Sequence, residues 1–116
     1  MSEPSGILRR STADRNELLF WCPGCDTPHH VQVGVGAGPR WDWNGDAHAP
    51  TFTPSILVTC GRIRPRADLI CHSFVAQGVI DFLEDSSNHQ LRGKHQLPAW
   101  PYPDWSGTEP ALDVDA

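Results

Sequence analysis

The chain has 116 residues and a formal net charge of −5, enough for one domain but not for two sizeable cores. Its 10 glycines and 11 prolines interrupt helix interiors and exclude a helical bundle, and no apolar run reaches the ~20 residues of a membrane span. The residues from Asp104 onward hold four of the 14 acids and no Lys or Arg, so the preceding body is near neutral and lacks the basic footprint of a nucleic-acid binder.

In chain order, residues 1–16 are polar, with Ser, Pro, Gly and arginines, and read as a flexible leader. The first ten lack the apolar stretch and cleavage site of a secretory signal, so a cytoplasmic protein is expected. Glu17-Leu-Leu-Phe-Trp-Cys22 reads as a buried strand, and His30-Val-Gln-Val-Gly34 alternates as a half-buried strand does. Together they predict a hairpin with Cys22-Pro-Gly-Cys25 at its tip. Residues 34–39 form a glycine-rich connector. Trp41 and Trp43 share a strand face before an Asn44-Gly45 turn, and Ser55 to Cys60 is a β-branched strand behind Pro50 and Pro54. The clearest hairpin runs from Leu69 to Leu83 around Ala76-Gln-Gly78. Asp85 to Gly93 has the cap and stop residues of one helical turn. The aromatics Trp100, Tyr102 and Trp105 sit among prolines and are expected to pack along the body in an extended segment. The expected architecture is mostly β: a small antiparallel β domain over 17–105 with a Cys-x-x-Cys zinc site, at most one short helix, and an acidic disordered tail at 106–116.

Four cysteines and six histidines in a chain without an export signal favour metal ligation over disulfides. A two-residue gap inside a tight turn lets the sulfurs of Cys22 and Cys25 face one point, as in zinc ribbons. A redox Cys-x-x-Cys needs a helix N-terminus that this context lacks. Neighbouring side chains on a strand face opposite ways, so Cys71 and His72 do not share one metal without a bulge. Cys22, Cys25 and Cys71 with His30 satisfy that rule; His72 in place of His30 is the alternative, and Cys60 reads as a core thiol. Arg62, Arg64 and Arg66 read as a solvated loop.

Pro50-Thr-Phe-Thr-Pro-Ser55 fixes the backbone at Ser55, which is then either a turn-forming hydroxyl or a positioned nucleophile. His72 and His89 are candidate bases and Asp85 or Asp81 a candidate orienting carboxylate.

Phe20-Trp-Cys-Pro-Gly-Cys25, His30, Trp41-Asp-Trp-Asn-Gly45, Pro50-Thr-Phe-Thr-Pro-Ser-Ile56, Cys71-His-Ser-Phe-Val75 with Gly78, and the Asp85, His89, Gly93 series resemble a small phage- and prophage-encoded family often labelled ammonia monooxygenase. A copper monooxygenase is a membrane complex, and this chain has neither a span nor His-rich copper ligation. More remotely, the order of motifs is similar to a zinc-containing, peptidase-like family of bacterial ubiquitination-like operons. That resemblance implies Ser55 as the nucleophile and Cys22, Cys25 and Cys71 as metal ligands. The remote family separates its Cys and His by two residues, whereas Cys71 and His72 are adjacent, so His72 stays open as ligand or base.

The leading expectation is a zinc-binding, serine-dependent peptidase or deconjugase with Ser55, His72, Asp85 and His89 as candidate catalytic residues. Its metal set is Cys22, Cys25, Cys71 and His30 around one structural zinc. Its partner is a protein or peptide, with no nucleic acid and no membrane. The alternatives are a non-catalytic zinc-stabilised module that binds a host or phage protein, and a metallohydrolase in which zinc activates water.

Overall fold

A computed structural model describes residues 6–59, 69–102 and 105–109. Cys60 and the Arg62, Arg64 and Arg66 strip fall outside the described residues, as do the final seven positions of the acidic tail. Eight strands make two antiparallel sheets, and among the described residues there is no helix. The first sheet has the order β1-β2-β3, from Leu8–Arg10, Glu17–Cys22 and Thr27–Gln32. The second runs β4-β5-β6-β7-β8, from Asp42–Trp43, Phe52–Thr59, Ile70–Ala76, Val79–Phe82 and Gly93–Gln96. A parallel bridge between Val33 and Trp41 joins them.

The apolar run of β2 has its length because both its faces are covered. Leu18, Phe20 and Cys22 point into the core between the sheets, where they meet Phe52, Ile56, Cys71, Val75 and Ile80, and Phe20 stacks on Phe52 at 6.3 Å. Leu19 and Trp21 point the other way, into a second cluster with Trp100 and Trp105. Trp21 meets Trp100, Tyr102 and Trp105 edge-on at 5.3–5.5 Å, so the aromatic segment does pack on the body.

The expected hairpin at 69–83 is present as β6 and β7. Its two-residue turn uses Gln77 and Gly78, both at positive φ (53° and 78°), the left-handed pair that matches the twist of flanking strands. Two expectations are corrected. Residues 8–10, placed in a flexible leader, are buried as strand β1 on β2; Ser11 bridges Thr108 and the Glu109 amide donates to the Arg10 carbonyl. Arg9 is held there by the Tyr102 carbonyl at 3.0 Å and lies 5.3 Å from the Trp100 ring centre, so a polar sequence still forms a buried strand. The helical turn at 85–93 is absent. Instead the chain after β7 bonds sideways to β6, with the amides of Ser87 and Asn88 both donating to the Ile70 carbonyl. Tertiary partners satisfy the backbone better than a short isolated turn would.

Candidate functional site

Strand β6 divides two groups of reactive side chains by simple alternation. Cys71, Ser73 and Val75 are buried toward the core, while His72 and Phe74 face outward. Cys71 thus belongs to one constellation and His72 to another.

On the outward side, β5 carries an irregularity opposite β6. Phe52 pairs with Val75 and Ile56 with Ser73, so Thr53, Pro54 and Ser55 together oppose the single residue Phe74. Pro54 offers no amide to the ladder, the Thr53–Pro54 bond is cis, and a bulge of this kind re-aims the side chain it carries. The Ser55 hydroxyl reaches His72 Nε2 at 3.0 Å. The opposite ring nitrogen, Nδ1, lies 3.0 and 3.1 Å from the two oxygens of Asp85. A carboxylate only accepts, so Nδ1 carries the proton and Nε2 presents a lone pair to the Ser55 hydroxyl. Trp41, immediately before β4, donates its indole N–H to the Ser55 carbonyl at 3.2 Å.

The segment between β7 and β8, residues 83–92, holds Asp85 in place. It continues alongside the first half of β6, where β7 has not yet begun to pair. Ser86 is 2% exposed; its hydroxyl donates to the His72 carbonyl at 3.0 Å and accepts from the His72 amide at 2.9 Å. The Leu83 amide also donates to the His72 carbonyl. Backbone bonding thus fixes the strap against the very residue that Asp85 contacts.

On the inward side, Cys22, Cys25, Cys71 and His89 bring four ligand atoms within 4.8 Å of one another. Ligands ~2.3 Å from a tetrahedral ion lie ~3.8 Å apart, so the spacing suits a metal ion after slight contraction. The three described cysteines are free thiols. The Cys25 amide donates to the Cys22 sulfur at 3.3 Å, the Asn88 side chain to the Cys25 sulfur at 3.3 Å, and the Cys71 sulfur lies 3.5 Å from His89 Nε2. Hydrogen bonds from Cys25 and then Cys71 pull the Cys22 thiol down to about 4, while bonding to Cys22 and burial push Cys71 up. Burial lowers His89, leaving its imidazole neutral and able to ligate. Sulfurs crowded in this way lack a countercharge that a cation would supply. Gly24 completes the cradle: a Cβ there would fall 2.3 Å from the His89 ring.

The histidine beside the three sulfurs is therefore His89, and not His30. His29 and Val31 turn inward from β3 while His30 turns outward, half-exposed, and meets Glu17 at 3.1 Å. Nor is His89 the partner of Ser55: the irregular strap sends Asp85 to His72 and His89 to Cys71, on opposite sides of β6, whereas a helical turn would have put them on one face. Asp81, the other carboxylate weighed, sits in β7 opposite Phe74 and Lys94. Sequence reasoning passed over three contributors. These are Gly24, whose smallness inside the Cys-x-x-Cys turn is a readable sign of a close neighbour, Ser86, and buried His29, edge-on to Phe20 at 5.3 Å.

A family model described as the bacterial ubiquitination-like system serine protease, BubE, matches residues 2–83. That is 82 of the 116 residues. The chain belongs to the BubE family. The matched span includes Ser55, His72, Cys22, Cys25 and Cys71 and ends at the first residue of the strap that carries Asp85 and His89. No significant match was found among curated proteins or among solved structures. No helix among the described residues is long and apolar enough to cross a membrane.

Proposed function

We infer that this chain is a serine peptidase acting on a protein tail, ubiquitin-like in the setting its family description names, with one structural zinc. The observation that carries this reading is the chain of contacts from Ser55 Oγ through His72 to Asp85, at 3.0 Å on either side of the ring. A serine hydroxyl is a weak nucleophile until a base takes its proton as it attacks. His72 Nε2 receives that proton while Ser55 Oγ bonds to the scissile carbonyl carbon. Asp85 keeps Nδ1–H as the donor and stabilises the imidazolium. His72 then returns the proton to the leaving amine, the C–N bond breaks, and an acyl-serine remains. In the second half, His72 takes a proton from water as it attacks that ester, and Ser55 leaves with its hydroxyl restored.

Cys22, Cys25, Cys71 and His89 would hold the zinc, and four protein ligands make a closed site that supplies stability rather than a bound water. A metallohydrolase needs an open position, so the donor set favours the structural role. The substrate is a peptide or protein, not nucleic acid or lipid, and the setting is cytoplasmic.

The test uses Ser55→Ala in the full chain with zinc content and melting checked first. Hydrolysis of a ubiquitin-like fusion should fall by roughly 10^4-fold or more, and a fluorophosphonate probe should label the parent at Ser55 but not the variant. A folded parent that neither cleaves nor labels would leave a non-catalytic binding module instead.

A further inference from the structure

A groove of about 560 Å³ opens between the two sheets beside β4, in the size range of ligand sites. Its walls include Arg10, Arg15, Arg40, Trp41, Asp42 and Trp43. Three guanidiniums against one carboxylate make it cationic. Arg15 is offset by its ion pair with Glu109, and Arg40 Nη1 is held by Gln32 and the Val33 carbonyl at 3.1 and 3.2 Å. Arg10 differs. It is 6% exposed, and its Nε is buried without a partner.

A buried guanidinium N–H left unpaired is costly, because water is lost and no acceptor replaces it. Arg10 is nonetheless fixed in β1 by its pairing with Leu18. The Arg40 Nε is likewise buried and unpartnered. A planar carboxylate is the anion that matches such forks, accepting two parallel N–H bonds. Trp41 ties the groove to the reactive serine, since it lines the wall and its indole bonds the Ser55 carbonyl at 3.2 Å. Trp43 of β4 pairs with Phe52 of β5, which lies three residues before Ser55.

We propose that this groove is a carboxylate-binding subsite for a peptide, with Arg10 and Arg40 as its anion-holding residues. It rests on the peptidase reading only for the statement that the bound peptide is the one delivered to Ser55. The carboxylate is either a free C-terminus or an acidic side chain.

Binding is measured by tryptophan fluorescence on the full-length, zinc-loaded Ser55→Ala protein, so hydrolysis plays no part. The probes are a seven-residue glycine–serine peptide with a free C-terminus, its C-terminal amide, and the amide carrying one internal Glu. At least one carboxylate peptide should bind tenfold or more tightly than the plain amide, with the advantage shrinking in 0.5 M salt as exposed charge is screened. Whichever peptide gains identifies the source of the carboxylate. Arg10→Met, which keeps the apolar stem, and Arg40→Gln should each remove most of the advantage. If Arg10→Met does not melt cooperatively, Arg40→Gln alone decides. Equal binding of acid and amide peptides overturns the subsite, as does an advantage that survives the folded variants. A folded parent that neither cleaves nor labels at Ser55, with the carboxylate preference retained, would overturn the peptidase reading and leave the subsite standing.

Discussion

The two sides of β6 show how one strand serves two purposes. On the inward side, Cys71 joins Cys22, Cys25 and His89 in a crowded, largely dry corner; on the outward side, His72 stands half-buried between Ser55 and an Asp85 carboxylate that is 57% exposed. The inner group sets two buried sulfurs beside two half-buried ligands, and the outer group stands partly in solvent. The strap at 83–92 is shared, since it gives Asp85 to one side and His89 to the other. The lesson is a division of labour: the buried side chains and the strap make the scaffold, and the scaffold fixes an exposed carboxylate that a surface contact alone would not hold.

If that division is right, perturbing the inner side disturbs both, and perturbing the outer side disturbs chemistry alone. The largest effect is expected from metal removal. Treatment with a strong chelator, or Cys71→Ser, should release about one zinc per chain and lower the melting temperature by about 10 °C or more, with cleavage lost in parallel. Zinc-free protein with unaltered melting would show that the thiols pack without a metal and that the corner is not the scaffold.

Asp85→Asn addresses the outer side. Cleavage should fall by about 10^2–10^4-fold, since the amide no longer enforces the Nδ1–H tautomer. Melting should move little, because an exposed ion pair contributes at most ~1 kcal/mol. Zinc content should be unchanged; a drop would mean that the two sides are not separable at residue 85.

The smallest effect belongs to the joint between them. Ser86→Ala removes a hydroxyl that both accepts from and donates to the His72 backbone, at a cost of about 1–3 kcal/mol for the buried groups left unpaired. The variant should bind zinc normally and lose several-fold in kcat with little change in KM. An unchanged kcat would show that Asp85 is positioned without this link.

Much of this arrangement was legible in the residues, and the rest failed for identifiable reasons. The strand pattern of 70–83, the Cys-x-x-Cys turn and the opposed directions of Cys71 and His72 follow from local geometry, and they appear as β6, β7 and the two constellations. Ser55 stood out because two prolines frame it. His30, weighed against His72 as the fourth ligand, failed because the phase of a strand fixes which side chains turn inward, and a His-His pair leaves that phase undetermined; in sequence, His89 reads only as a candidate base. Here His29 takes the buried position. The path of residues 83–92 was beyond reach for a different reason. Its shape is set by long-range bonds to Ile70 and His72, and cap-and-stop residues describe only what the segment would do alone. Strand β1 was missed because its two arginines are polar in sequence yet buried in place, one under Tyr102 and Trp100 and the other in the groove.

The aromatic cluster on the outer face of the first sheet has an optical consequence. Of the five tryptophans, Trp21, Trp100 and Trp105 sit edge-on at 5.4–5.8 Å, close enough for their transition dipoles to couple, whereas Trp41 and Trp43 line the groove beside Ser55. Near-ultraviolet dichroism therefore records the seating of the C-terminal segment, and emission from Trp41 and Trp43 records what enters the groove. One molecule thus carries two native chromophore sets, one on the outer face of the first sheet and one in the groove.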